Sequence, residues 1–168
     1  MITLGIDPGT AICGFGFVEN LRGNFVAKNF GVITTSPQAL MQDRLLKIYI
    51  ELDALIKNFQ PQILAVEKLF FGKNSTTAIS VAQARGIVLL AAAQNNLDLI
   101  EITPNEVKQS VTGYGAATKE QVIYMVTKIL NLDAPPKPDD AADALAIALA
   151  ATYEADSLTR RNFLGDLS

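Results

Sequence analysis

Histidine is missing from this sequence altogether, and cysteine occurs once, at Cys13. The first absence excludes imidazole general bases, Ser-His-Asp and Cys-His catalysis, and the usual zinc sites. The second excludes an internal disulfide and any multi-cysteine metal centre, and it fits a reducing compartment. Long hydrophobic runs are also lacking. Runs such as "IVLLAAA" at residues 87–93 are far short of the ~20 residues that span a bilayer. The opening "MITLGIDPGT" has no basic segment ahead of an apolar one, so it does not read as a signal peptide. A soluble, cytoplasmic protein is expected. Charge is sparse as well: Asp, Glu, Lys and Arg make up 18% of the chain and leave a net charge of -3. Nucleic-acid binders usually carry a basic footprint, and this chain has no overall excess of basic residues.

What is present is apolar. Of 168 residues, 49% are hydrophobic, enough for one domain with a substantial core. "ITLGID", "ICGFGFVEN" and "NFVAKNFGVITT" read as three strands joined by short hairpin turns, with Gly14 and Gly16 marking close backbone approach on one face. "DRLLKIYIELDALIKNFQP" places Leu45, Ile48, Leu52, Leu55, Ile56 and Phe59 at helical spacing and stops at Pro61. "QILAVEKLFF" is a short strand, covered on both sides. "STTAISVAQARGIVLLAAAQNN" is a long helix, "LDLIEITP" a fifth strand and "NEVKQSVTG" a short helix. "TKEQVIYMVTKIL" is a helix with Thr118 and Gln121 at capping-box spacing, and "DDAADALAIALAATY" is the last helix. Hairpin strands pair antiparallel, and strands linked through helices pair parallel. The expected architecture is an α/β fold, a five-stranded mixed sheet of three antiparallel and then two parallel strands flanked by helices. Residues 1–153 form the domain, and residues 154–168 are expected to be a polar, partly disordered tail.

Four acids stand out against this apolar background. Asp140 and Asp143 share one face at the start of the last helix. Taken alone, they also suit capping and the helix dipole. Asp7 closes the first strand, where an acid before Pro-Gly is also ordinary turn chemistry. Glu67 sits in a strand read as interior, where a carboxylate is costly unless it is paired or binds metal, although an exposed edge would suit it too. Ligands of sheets with helical crossovers collect at strand ends, so three elements can bring these acids to one rim. Carboxylates without histidine or cysteine suit hard cations such as Mg²⁺ or Mn²⁺. Two such ions about 4 Å apart can activate a water and stabilise the leaving oxygen in phosphodiester cleavage.

"GIDPGT", "AVEKLFF", "QARG" and "DAADALAIAL", in this order over nearly the whole chain, resemble the RuvC-type Holliday junction resolvases of bacteria. The resemblance implies a ribonuclease H-like fold and a Mg²⁺-dependent endonuclease that acts as a homodimer on four-way junction DNA. Such an enzyme makes paired symmetric nicks that leave 5′-phosphate and 3′-hydroxyl ends, in DNA recombination and repair. By motif, Asp7, Glu67, Asp140 and Asp143 are the implied catalytic metal ligands, for two Mg²⁺ ions with Mn²⁺ as a substitute. Some relatives place a histidine near the first of the last two acids; here only an all-carboxylate site is possible. Asp139 precedes the motif and reads as a helix cap or as a support for the ligands.

The same resemblance assigns DNA contacts to Lys108 and Lys119, and less strongly to Lys73 and Arg85. It assigns base stacking to Phe70, with Phe71 as its support, although an aromatic pair is more often core. Setting aside the four acids leaves 14 basic against 13 acidic residues, so a local basic rim is compatible with the composition. The long helix, rich in Ala and Gly, is implied as a dimer contact, and RuvA and RuvB as partners. Three other readings stay open. An actin-like kinase fragment shares the "DPGTAICGFG" loop but needs two such domains. An RNA-processing nuclease of the YqgF group lacks support in "QARG" and the last helix. A catalytically inactive junction-binding module has no use for the acids.

Overall fold

The computed structural model describes residues 1–68 and 75–165, with the side chains of residues 75–77 and 158–165 excepted. Alternation of apolar residues builds the sheet. β1 (Ile2–Asp7), β2 (Ile12–Leu21) and β3 (Asn24–Thr34) form an antiparallel meander. β4 (Ile63–Glu67) pairs parallel with β1, and β5 (Asp98–Ile102) pairs parallel with β4. The sheet order is β3-β2-β1-β4-β5, the expected mixed arrangement.

Two helical layers cover the sheet. On one face, α1 (Met41–Phe59) and α2 (Ser75–Gln94) enclose Leu4, Ile6, Phe15, Phe17, Leu64 and Val66. On the other, α3 (Pro104–Thr112), α4 (Lys119–Ile129) and α5 (Asp139–Gly165) enclose Val18, Ala65 and Ile102. The period of two in a strand decides which residues face which layer. In β1, Leu4 and Ile6 point to α1 and α2, so Gly5 and Asp7 point to α5. In β4, Leu64 and Val66 point one way, so Ala65 and Glu67 point the other.

α5 lies very close to the sheet because glycines permit it. A Cβ on Gly5 would stand 2.1 Å from the Ala144 carbonyl oxygen, and one on Gly14 would stand 2.1 Å from that of Asp140. Leu145, Ile147 and Leu149 of α5 are buried, each contributing about 1.5–3 kcal/mol by leaving water.

Three boundaries differ from the sequence reading. β4 ends at Glu67, before the two phenylalanines. Pro104 opens α3 rather than closing the fifth strand, because a proline at the first helical position gives up only an N–H that has no helical partner. α5 continues past Tyr153 to Gly165. Polarity alone does not stop a helix, and residues 154–164 contain no Gly or Pro. Among the described residues, no helix is long and apolar enough to cross a membrane.

Candidate active site

Asp7 and Glu67 end neighbouring parallel strands. The register pairs Ile6 with Val66, so the next residues along both strands are the two acids, directed to the same face. Asp7 also pairs with Gly14, whose missing side chain leaves room for the first turn of α5. That turn carries Asp140 and, three residues on, Asp143. Two capped helices close the site. In α4, the Thr118 hydroxyl accepts from the Gln121 N–H while Gln121 accepts from the Thr118 N–H, which sets Lys119 at the first helical position. The reciprocal pair Thr103 and Glu106 caps α3, which carries Lys108.

The result is a cavity of about 310 Å³ whose polar lining is Asp7, Glu67, Asp143, Lys108 and Lys119. Its apolar wall includes Pro104, Val107, Val122, Ala146 and Ile147, a set the sequence reading did not name. Asp140 is not in that lining, but it lies near enough to act on Asp7. Lys119 Nζ stands 2.9 Å from Asp143 Oδ2 and 3.5 Å from Asp139 Oδ2.

Burial and like charge together set the electrostatics. Burial, followed by Asp143, Asp140 and Glu67, pushes the Asp7 carboxyl from 3.8 up to about 7, with only Lys119 opposing. Burial and Asp143 also raise Glu67, opposed by Lys108. The bond to Asp143 raises Lys119. Cys13 plays no part: burial pushes its thiol up to about 12 and leaves it inert.

A family model described as crossover junction endodeoxyribonuclease RuvC matches residues 3–151. This chain belongs to the RuvC family. The RuvC of Carboxydothermus hydrogenoformans is 54% identical over 150 residues, covering 89% of this chain and 94% of that relative. The RuvC of Desulfitobacterium hafniense is 51% identical over 160 residues, covering 95% and 97%. The structure of T. thermophilus RuvC in complex with a Holliday junction substrate superposes with a TM-score of 0.88 at 36% identity, covering 92% of this chain and 94% of that one. The expected ribonuclease H-like fold and family are therefore borne out.

The RuvC-family donor set fits a hard cation. It is all oxygen, and the carboxylates around Asp7, which add to the effect of its burial in raising it, leave negative charge that a cation would offset. Among the described residues, no three acidic side chains are already gathered tightly enough to hold an ion, and Asp143 is turned to Lys119.

The other expected contacts divide. Lys108 and Lys119 reach the cavity. Phe70, Phe71 and Lys73 lie outside the described residues. Arg85 does not line the cavity. It lies on the opposite face, with its guanidinium 2.6 Å from Glu101 of β5, and it ties α2 to the sheet. Gly5, which α5 needs as much as Gly14, was missed. Its signal was a glycine opposite Gly16 in the paired strand.

Proposed function

We propose that this chain is a structure-selective endodeoxyribonuclease that resolves four-way DNA junctions by metal-dependent hydrolysis. One observation carries the reading: Asp7, Glu67 and Asp143, with Lys108 and Lys119, converge on one cavity in a chain of the RuvC family. Asp7, Glu67, Asp140 and Asp143 would hold two Mg²⁺ ions, with Mn²⁺ able to replace them. When bound, such ions supply an activated water and stabilise charge on the leaving oxygen.

The protein's own groups account for the rest. Asp7, central in the cluster, holds the most strongly unbalanced charge and is the anchor of the site. Lys108 and Lys119 enter from α3 and α4 and orient the scissile phosphate. Val107, Val122 and Ile147 make the wall apolar, which lowers the local dielectric and strengthens each charge interaction. Phe70 stacks on an unpaired base, with Lys73 on a nearby phosphate.

The enzyme acts as a homodimer in the cytoplasm, matching a two-fold substrate with two sites and nicking symmetrically. Exposed Ile79 and Leu90 on α2 support that helix as the dimer contact. RuvA and RuvB are the partners, and recombination and repair the setting. The structure similar to this chain, that of T. thermophilus RuvC, holds a Holliday junction substrate.

The test uses a labelled synthetic four-way junction and a linear duplex of the same sequence, with and without Mg²⁺. Paired nicks in the junction only, dependent on metal and lost in Asp7→Asn, are expected. Junction binding without cleavage by the wild type, in either Mg²⁺ or Mn²⁺ and on several junction sequences, would overturn the reading in favour of an inactive binding module.

A further inference from the structure

Asp139 is left over by the proposed site. It opens α5, is 65% exposed on its side chain, and does not line the cavity. Yet its carboxylate faces the same ammonium as Asp143. Lys119 Nζ sits 2.9 Å from Asp143 Oδ2 and 3.5 Å from Asp139 Oδ2, and is thus shared unequally between the two. Asp143 is the more enclosed partner, with 34% of its side chain exposed. Residues 139 and 143 are one helical turn apart, so both project from one side of α5. Lys119 is held by its backbone at the capped start of α4, while its side chain is 48% exposed and free to change rotamer.

We infer that Asp139 is the holding site for Lys119 once a divalent cation takes Asp143. Without a cation, the ammonium partly neutralises the carboxylate cluster and keeps Asp143 turned to itself. With a cation present, Asp143 is withdrawn from the pair. Lys119 then shifts its weight to Asp139 rather than into bulk water, which keeps a positive charge at the cavity rim, where the phosphate enters. Lys119 is therefore a competitor for the cation, and Asp139 is a positioning residue that lessens the competition. This inference rests on the metal centre proposed above, and it uses an acid that the centre does not.

The competition has a signature that simple attraction lacks. If Asp139 acted only through its negative charge, removing it would weaken cation binding to the same degree whatever occupied position 119. If it acts by receiving Lys119, its effect depends on the lysine.

The experiment is a calorimetric titration of the full-length protein with Mn²⁺, in the absence of DNA. It compares wild type, Lys119→Met, Asp139→Asn and the double variant, with Asp139→Glu as the conservative control. Lys119→Met should tighten Mn²⁺ binding by roughly five- to twenty-fold, because an ion pair of this kind is worth about 1–2 kcal/mol and no longer competes. Asp139→Asn should weaken binding about three- to ten-fold in the wild-type background and less than two-fold in the Lys119→Met background, and Asp139→Glu should restore it. Equal losses in both backgrounds, or a Lys119→Met protein that binds Mn²⁺ no better than wild type, overturn the inference and leave the metal centre standing. A wild type that binds no Mn²⁺, or binds it as well after Asp7→Asn, overturns the metal centre and the inference together. A folded state confirmed by circular dichroism for each variant keeps these outcomes distinct.

Discussion

Replacing Asp7 with Asn should stabilise the metal-free protein, and more so as the pH rises. The Asp7 carboxyl moves from an ordinary 3.8 to about 7 in the folded chain, first through burial and then through Asp143, Asp140 and Glu67. Between these two values the folded state binds a proton that the unfolded state has released. Stability therefore falls as pH rises across that window, and the full penalty is present above about 7. A rise of about three pH units corresponds to about 4 kcal/mol at most, and solvent near the mouth of the cavity reduces it to about 2–4 kcal/mol. At pH about 5 only part of this penalty has appeared, so the gap between variant and wild type should widen by about 1–3 kcal/mol between pH about 5 and about 8. In a chain of this length that is roughly 3–10 °C in Tm. Calorimetric melts in EDTA across this range measure it directly. Mg²⁺ should then raise the Tm of the wild type at pH about 8 and narrow the gap. A variant whose advantage is the same at both pH values would refute the reasoning, because burial and like-charge repulsion would not be what the site holds in store.

Glu67→Gln keeps the size of the side chain and removes its charge, so junction cleavage should fall at least about 100-fold while junction affinity in a gel-shift assay stays within a few-fold. Gly14→Ala should destabilise the fold by more than about 2 kcal/mol and abolish cleavage, since the new Cβ would stand 2.1 Å from the Asp140 carbonyl oxygen and α5 would have to move away; a urea melt and the junction assay read both effects. Arg85→Met breaks the pair with Glu101 and should lower stability by about 1 kcal/mol. Because Arg85 lies on the face away from the cavity, the slope of junction affinity against salt should stay unchanged, whereas Lys108→Met should reduce that slope by about one.

Much of the fold was legible because its signals are local. Strand alternation, the helical spacing of α1 and the Thr118 and Gln121 box each depend on a few neighbouring residues, and each appears in the structure where the sequence points. Helix ends were harder. Pro104 opens α3 because a proline at the first helical position gives up no helical hydrogen bond, and α5 runs on through polar residues to Gly165. In the site, Asp7, Glu67 and Asp143 were legible as acids at element ends. The cavity brings them together with Lys108 and Lys119. Arg85 could not be placed from its motif, because its partner, Glu101, is 16 residues away in sequence.

By itself the sequence determined the elements, their period and the chemistry open to the chain: without histidine and with one cysteine, acid–base and metal chemistry falls mainly to carboxylates, lysines, tyrosines and hydroxyl groups. The tertiary structure decided which of those groups meet. Strand register set Asp7 beside Glu67 on one face. Glycines at 5 and 14 let α5 descend far enough to bring Asp140 and Asp143 over them. Packing of α4 divided Lys119 between Asp143 and Asp139. Each of these is a contact between residues distant in the chain, and such a contact depends on how the layers pack rather than on any local pattern.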